Sequence, residues 1–240
     1  MRRTAGQPWS DLSAVLFDMD GTLVETEQHW GEALADLAAQ LGGVMSAGAR
    51  ERTVGTSMRF AMQVLYDDLG KGRSEDEFLA DERWVEDRAR ELMAAGTHWR
   101  PGARELVIEV SAAGLPTALV TTTSRRIAEV VLAQIAEDLG GDPFDLTVCG
   151  DEVPARKPDP APYRQAMAEL GVDPAGCVVL EDSVVGVASG LAAGAAVLGV
   201  PSLQAVAPRS GLTLRTSLAG IGLADLAALV AGRDENDPAA

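Results

Sequence analysis

The sequence predicts an α/β fold in which a doubly wound parallel sheet is interrupted by an inserted helical domain. Three short apolar segments, at residues 14–17, 117–120 and 177–180, lack alternation and stop at a polar residue, as doubly buried parallel strands do. Helical spacing lies between the second and third segments, and a longer helical block directly follows the first. Strands that alternate with helices form βαβ units, which build an open twisted sheet.

Two helices and two further strands complete the predicted repeat. Apolar residues at helical spacing predict one helix over residues 127–135 and another over 163–170, the second closed by Gly171. Further strands are predicted near 145–148 and 195–200. Ligands of such a Rossmann-like sheet bind outside the carboxyl ends of its strands. The three polar strand endings are therefore expected to lie together at one edge.

The block after the first strand has a different pattern. Positions 30, 33, 34, 37, 38 and 41 are apolar at helical spacing, and Gly42 with Gly43 ends that helix. Apolar positions between 65 and 93 remain mostly helical, and Pro101 with Gly102 predicts the return to the sheet. We therefore expect a catalytic core from residues 1–25 and 97–240 and an α-helical cap domain over residues 26–96.

Composition excludes several classes of partner. The 240 residues are 47% hydrophobic and 23% charged, which is typical of a folded core. A formal net charge of −16 makes nucleic acid and anionic membrane surfaces unsuitable partners. The sequence contains no 18-residue apolar run, and its first ten residues have no apolar signal-peptide segment. Two cysteines, Cys149 and Cys177, are too few for a disulfide framework, so we expect a cytoplasmic protein.

Carboxylates follow two of the predicted strands. Asp18 ends the first strand, Asp20 lies on the following loop, and Gly21 allows the chain to turn there. Glu181 and Asp182 end the third strand, and adjacent carboxylates repel one another unless a multivalent cation lies between them. Each pattern has an ordinary alternative, an Asp-Gly turn for the first and a helix N-terminal acidic cluster for the second.

Anion-binding groups follow the remaining elements. Thr121, Thr122, Thr123 and Ser124 place hydroxyls at a strand end and a helix start, where free N–H groups also favour an anion. Lys157 precedes a helix in a chain with 18 arginines and two lysines, and a compact ammonium suits a point contact with a carboxylate or phosphoryl oxygen. Helix capping by Ser124 and an ordinary loop lysine are the alternatives.

Taken in this order, the motifs resemble those of the haloacid dehalogenase-like superfamily. They are the Asp-Met-Asp-Gly-Thr segment from Asp18, then Thr121, Lys157, and the pair Glu181 and Asp182. The resemblance spans about residues 14–200 and is closest to the subfamily with a small helical cap, which includes phosphoglycolate phosphatases and β-phosphoglucomutases. Supporting segments are Arg-Pro-Gly at 100–102 and Lys-Pro-Asp-Pro at 157–160.

The resemblance implies Mg²⁺-dependent phosphoryl transfer through an aspartyl-phosphate. It implies that Asp18 is the nucleophile and Asp20 the general acid and base, with Thr121 and Lys157 as the other catalytic residues. It further implies Mg²⁺ ligation by Asp18, the backbone carbonyl of Asp20, and Asp182, with Glu181 binding directly or through water. The phosphate-binding residues that it implies are Asp18, Gly21, Thr121, Thr122 and Lys157.

The resemblance also implies that substrate specificity lies in the cap, at Gly55, Thr56, Ser57, Met58 and Arg59. β-Phosphoglucomutases have an arginine where this chain has Met58, which disfavours a mutase. Glu25 replaces a more usual aspartate in the linker, where we expect altered tethering of the cap.

We therefore expect a phosphatase acting on a small phosphorylated metabolite, such as a sugar phosphate or a phosphoglycolate-like compound. The expected assembly is a monomer or weak dimer. A phosphotransferase or mutase of the same fold is the first alternative, and a non-catalytic binding protein is the second.

Overall fold

The computed structural model describes residues 9–234, so most of the ten residues considered for a signal peptide lie outside it. The described chain divides into two compact units. One contains the residues up to Val24 and from Trp99 onward, and the other is Glu25–His98. We call the first unit the core and the second the cap. The chain passes between the units within two short strands, β2 (Val24–Glu25) and β3 (His98–Trp99), which pair with each other.

The core contains a six-stranded sheet whose paired strands all run parallel. The strands are β1 (Ala14–Phe17), β4 (Thr117–Val120), β5 (Leu146–Val148), β6 (Cys177–Glu181), β7 (Ala196–Gly199) and β8 (Leu212–Leu214). Their order in the sheet is β5-β4-β1-β6-β7-β8, so the first strand lies in the middle. This confirms the predicted α/β, Rossmann-like fold.

Five helices accompany these strands in the described core. They are α5 (Ala103–Ala112), α6 (Arg125–Leu139), α7 (Ala161–Leu170), α8 (Val184–Ala192) and α9 (Leu223–Asp234). Helices α7 and α8 pack on one face of the sheet, where Tyr163, Met167 and Val187 meet side chains of β1, β4 and β6. Gly171 ends α7 in the left-handed conformation, as its sequence position predicts.

The cap consists of four helices, α1 (Glu27–Gln40), α2 (Ala47–Thr53), α3 (Met58–Leu69) and α4 (Glu75–Ala94). Ser46, Ser57 and Ser74 begin the last three of these by accepting a hydrogen bond from a backbone N–H of the first turn. Helix α1 packs along α4, and their apolar sides bury Leu34, Leu37, Val85 and others. No helix in residues 9–234 combines the length and apolar character needed to cross a bilayer.

The structure adds three short strands to those predicted. Strands β2 and β3 have only two residues each, and β8 is a half-buried three-residue strand at the sheet edge. Such segments are too short to display periodicity. Strand β6 also extends by one residue, through Glu181, because the backbone of Glu181 pairs with Gly199 of β7.

Candidate active site

Three parallel strands deliver the predicted polar residues to one edge of the sheet. Phe17 of β1 lies in register with Leu119 of β4 and Leu180 of β6, so the residues after these positions are neighbours. The N–H of Asp18 donates to the carbonyl of Leu180 at 3.0 Å, which continues the strand pairing to Asp18. The expected convergence at the carboxyl edge is therefore present.

Lys157 is the central cation of the site. Its Nζ donates to Asp18 Oδ1 at 2.7 Å, to the Val120 carbonyl at 2.8 Å and to Glu181 Oε1 at 2.6 Å. Its side chain is 2% exposed. Burial lowers the pKa of the Lys157 ammonium, but the adjacent carboxylates of Asp18 and Glu181 outweigh this effect and hold that pKa above its usual value. The lysine therefore stays charged.

Glu181 is fully buried and is held by donors on both oxygens. Oε1 accepts from Lys157 and from the Tyr163 hydroxyl at 2.7 Å, while Oε2 accepts from the Ser183 hydroxyl at 3.1 Å. The carboxylate lies directly over Gly186, where a Cβ would collide with it. A glycine in the first turn of α8 thus makes room for the buried charge.

Asp18, Glu181 and Asp182 form an acidic cluster that can hold a cation. One oxygen from each carboxylate lies within 4.8 Å of the others, and all three residues are buried. Burial and the charge of Glu181 raise the pKa of Asp182 to about 7. Burial and the charge of Glu181 also raise the pKa of Asp18 well above its usual value, although Lys157 opposes them. Anionic oxygen ligands that destabilise one another fit a hard divalent cation such as Mg²⁺.

Two further hydrogen bonds hold the carboxylates of Asp182 and Asp18 in this cluster. The Ser202 hydroxyl donates to Asp182 Oδ2, and the Thr22 hydroxyl donates to Asp18 Oδ2 at 2.9 Å. Gly21 has a φ of 80°, and a Cβ there would collide with the Asp182 carboxylate. The loop after β1 therefore needs glycine for its backbone conformation and for the close approach of Asp182.

Asp20 is oriented by the loop that follows β4. Its Oδ2 accepts from the Thr121 hydroxyl at 3.1 Å and from the Thr123 hydroxyl at 2.8 Å. Thr121 Oγ1 also accepts from the N–H of Thr123 at 3.0 Å, so the two threonines support each other. Thr122 is exposed on the same loop. The segment predicted to bind an anion thus also holds the second aspartate.

The predicted specificity residues lie within the cap unit. Gly55 has a φ of 65°, Thr56 Oγ1 donates to the Thr53 carbonyl, and Ser57 caps α3 ahead of Met58. Arg59 donates to Glu75 at 2.5 Å, and its guanidinium lies 4.2 Å from the centre of the Phe78 ring. These contacts engage Arg59 with α4 inside the cap.

Three residues of the site were not among the functional candidates predicted from the sequence: Tyr163, Ser183 and Ser202. Thr22 was quoted as part of the first motif and Thr123 as part of the hydroxyl run, and Ser183 directly follows the carboxylate pair, so its proximity to a motif was an available signal. Tyr163 occupies an apolar position of α7, where helical spacing indicates only core packing. Ser202 lies in a loop with no pattern of its own.

A comparison with family models decides the relationship. The model for haloacid dehalogenase-like hydrolases matches residues 12–194, a range that includes every motif at the sheet edge. The chain belongs to the haloacid dehalogenase-like hydrolases. The resemblance drawn from the motifs is thereby confirmed, and so is the expectation that the protein is an enzyme.

Individual members of this family align with most of the chain. Protein CbbY of Rhodobacter capsulatus is 35% identical over 198 residues, covering 80% of this chain and 86% of the relative. Hexitol phosphatase B of Escherichia coli O157:H7 is 33% identical over 222 residues, covering 92% of this chain and 95% of the relative. A crystal structure of CbbY from Rhodobacter sphaeroides in complex with xylulose-(1,5)bisphosphate matches with a TM-score of 0.75 at 30% identity. The match covers 90% of this chain and 99% of that chain.

Proposed function

We propose that this haloacid dehalogenase-like hydrolase is a Mg²⁺-dependent phosphatase that hydrolyses a small phosphomonoester through an aspartyl-phosphate. The observation that carries the proposal is the position of Lys157 Nζ, 2.7 Å from Asp18 Oδ1, within a buried acidic cluster. An ammonium here balances the charge of a carboxylate nucleophile that approaches an anionic phosphoryl group. The names of the relatives favour a sugar phosphate as substrate.

Mg²⁺ would be held by Asp18, the backbone carbonyl of Asp20, and Asp182, and when bound it would neutralise the repulsion between nucleophile and substrate. The carboxylates of Asp18 and Asp182 have the required chemistry, since both are anionic oxygen donors in a buried cluster. Glu181 has protein donors on both oxygens, so its contribution would be to hold Lys157 beside the cluster.

In the first step, an oxygen of Asp18 forms a bond to phosphorus while the bond from phosphorus to the leaving oxygen breaks. Asp20 gives its proton to that leaving oxygen. In the second step, Asp20 takes a proton from water, the water oxygen bonds to phosphorus, and the bond between Asp18 and phosphorus breaks. Thr121 and Thr123 orient Asp20 for both proton transfers by donating to its Oδ2.

We further propose that the cap selects the substrate while the core performs the transfer. The core groups named above act on the phosphoryl group and its ester oxygen, which all candidate substrates share, or position the residues that do, so the rest of the leaving group must be recognised elsewhere. The segment from Gly55 to Met58 is the candidate for that recognition. A mutase is less well supported, since Met58 offers no cation and Arg59 is engaged with Glu75.

The test is a panel of phosphorylated metabolites, including hexitol, pentulose and bisphosphate sugars and phosphoglycolate, assayed for phosphate release with Mg²⁺ and with excess chelator. We expect release that depends on Mg²⁺ and favours one sugar class. The absence of release from every compound would overturn the phosphatase assignment. Transfer of the phosphoryl group to a second sugar position, without release, would support the mutase instead.

Asp18→Asn is the matched control for this panel. The amide has the same shape but cannot attack phosphorus, so turnover should fall at least about a thousandfold, a barrier increase of roughly 4 kcal/mol. Acid-quenched wild-type protein should retain radiolabelled phosphoryl groups that hydroxylamine releases, and the variant should retain none. A labelled Asp18→Asn protein would place the covalent intermediate on another residue.

A further inference from the structure

Tyr163 has a buried hydroxyl that no step of the proposed reaction uses. The residue lies in α7 and is 0% exposed. Its hydroxyl donates to Glu181 Oε1 at 2.7 Å, and the centre of its ring is 4.9 Å from Lys157 Nζ. The same side chain therefore contacts both members of the buried ion pair beside Asp18.

The donors and acceptors around Lys157 are closely matched. An ammonium has three N–H donors, and three acceptors lie within 2.8 Å of Nζ: Asp18 Oδ1, the Val120 carbonyl and Glu181 Oε1. Glu181 Oε1 in turn accepts from two donors, Lys157 and Tyr163. The hydroxyl thus shares one carboxylate oxygen with the ammonium.

We propose that Tyr163 is a positioning residue that divides Lys157 between Glu181 and Asp18. By donating to Glu181 Oε1, the hydroxyl satisfies part of the charge of that carboxylate and leaves the ammonium available to the nucleophile. The consequence for turnover rests on the proposed phosphatase function, whereas the effect on Lys157 does not. The hydroxyl of a tyrosine that merely fills the core would influence neither turnover nor the position of Lys157.

Loss of the hydroxyl has a predictable direction. In Tyr163→Phe the ring remains beside Lys157, but Glu181 Oε1 keeps only one strong donor. The ammonium is then drawn towards Glu181 and away from Asp18, because a buried carboxylate attracts its remaining donor more strongly. Hydrogen bonds to charged groups are stronger than those between neutral groups, so a misplaced ammonium should stabilise the transition state less. We therefore expect kcat to fall about tenfold or more, while KM changes less than about twofold.

The chain supplies its own control, because it contains two tyrosines. Tyr66 in the cap donates to Asp81 Oδ2 at 3.0 Å, and that carboxylate also accepts from Arg73. Tyr66→Phe therefore removes a similar tyrosine–carboxylate hydrogen bond from the other unit. We expect it to leave kcat and KM on a small substrate unchanged.

The decisive measurement observes Lys157 directly. The chain has two lysines, Lys71, which is exposed, and Lys157, so lysine labelled with nitrogen-15 at Nζ gives few amine signals. The buried, triply bonded ammonium of Lys157 should give a distinct signal in the absence of Mg²⁺ and substrate. Lys157→Arg would identify that signal by removing it.

We expect Tyr163→Phe to shift the Lys157 signal and lower kcat, and Tyr66→Phe to do neither. An unchanged Lys157 signal in folded Tyr163→Phe would overturn the proposal. A shifted signal with unchanged kcat would also overturn it, provided that the wild-type protein hydrolyses the substrate. If wild-type protein hydrolyses nothing, the proposed function fails, yet the signal still decides whether Tyr163 controls the position of Lys157.

A second variant covers the case in which Tyr163→Phe does not fold. Incorporation of 3-fluorotyrosine into Tyr66→Phe places the substituted phenol at Tyr163 alone, keeps the hydroxyl and makes it a stronger donor. The Lys157 signal should then shift relative to that of the Tyr66→Phe protein that carries ordinary tyrosine at position 163. Identical signals with the two phenols would contradict the proposed coupling.

Discussion

The core and the cap each contain a tyrosine, a carboxylate and a cation in mutual contact, but their surroundings differ. In the cap, Tyr66 and Arg73 both donate to Asp81. Arg73 binds Asp81 through two nitrogens, at 2.7 and 2.8 Å, and also donates to Glu77 at 3.3 Å. Arg73 and Asp81 thus form a bidentate ion pair, and the Tyr66 hydroxyl joins α3 to the same carboxylate on α4.

In the core, the cation Lys157 is shared between two carboxylates instead of being paired with one. Lys157 serves both Glu181 and Asp18, and the carboxylate of Asp182 lies beside them. The core group therefore carries excess negative charge in a buried place, whereas Glu77, the second carboxylate of the Arg73 group, is half-exposed to water. Similar residue types thus form a bidentate ion pair in one unit and an acidic cluster that can hold a cation in the other, and the difference lies in the uncompensated carboxylates.

The largest difference between the two units is expected when Lys157 of the core and Arg73 of the cap are each replaced by an uncharged residue. Lys157→Met should lower kcat on the order of a thousandfold, because it removes the donor that faces Asp18, the proposed nucleophile. Arg73→Met should leave kcat on a small substrate near the wild-type value but destabilise the protein by about 2 kcal/mol, since it leaves Asp81 without its bidentate partner. Steady-state kinetics and thermal unfolding of both variants provide the measurement.

A catalytically competent Lys157→Met would show that the shared lysine is a structural cation like Arg73. Lys157→Arg is the companion variant for this experiment. It retains the charge but replaces a compact ammonium by a planar fork, so we expect it to recover little of the lost turnover.

The excess charge of the core also predicts a pH dependence of stability without metal. Burial raises the pKa of Asp182 to about 7, so the folded state retains a proton that the unfolded state has released. Stability from this group is complete below its unfolded pKa of 3.8 and is lost as pH rises to about 7, by at most about 4 kcal/mol. With chelator present, Asp182→Asn should therefore have a higher Tm than wild type at pH 8, and the difference should vanish near pH 4.

Added Mg²⁺ should raise the Tm of wild type at pH 8 and should raise that of Asp182→Asn much less. Asp81→Asn is the cap control, and it should lower Tm at pH 8 because it weakens the Arg73 pair. A Tm of Asp182→Asn below that of wild type at pH 8 in chelator would contradict the picture of uncompensated charge.

Residues that end strands were predicted from the sequence, and residues that reach the site from elsewhere in the fold were predicted only where a motif marked them, as for Lys157. Asp18, Thr121 and Asp182 follow buried strands, so parallel pairing alone predicts that they meet. Tyr163 and Ser202 reach the site through tertiary contacts that no local spacing encodes. The edge strand β8 and the paired strands β2 and β3 were missed because two or three residues carry no periodic signal.

A smaller effect is expected from the loop that orients Asp20. Thr123→Val removes one of the two hydroxyls that donate to Asp20 Oδ2, and Thr121 retains the other. We therefore expect kcat to fall about tenfold, the loss associated with one hydrogen bond to a charged group, with little change in Tm. Thr123→Ser restores the hydroxyl and should recover most of the activity. Equal activity in the valine and serine variants would exclude a role for Thr123 in proton transfer.

The smallest effect is expected at Arg59, which forms an exposed ion pair with Glu75 in the cap. The side chains of Arg59 and Glu75 are 62% and 64% exposed, so water screens their attraction. Such pairs contribute about 0 to 1 kcal/mol, in contrast to the buried Lys157. Because Arg59 is already bound to Glu75 and lies over Phe78, Arg59→Met should leave the ratio of kcat/KM between a sugar phosphate and a small aryl phosphate unchanged. A fall in kcat/KM on the sugar phosphate alone would instead make Arg59 a specificity residue. Glu75→Gln weakens the same pair but keeps the arginine, so in that case it should preserve the preference for the sugar phosphate.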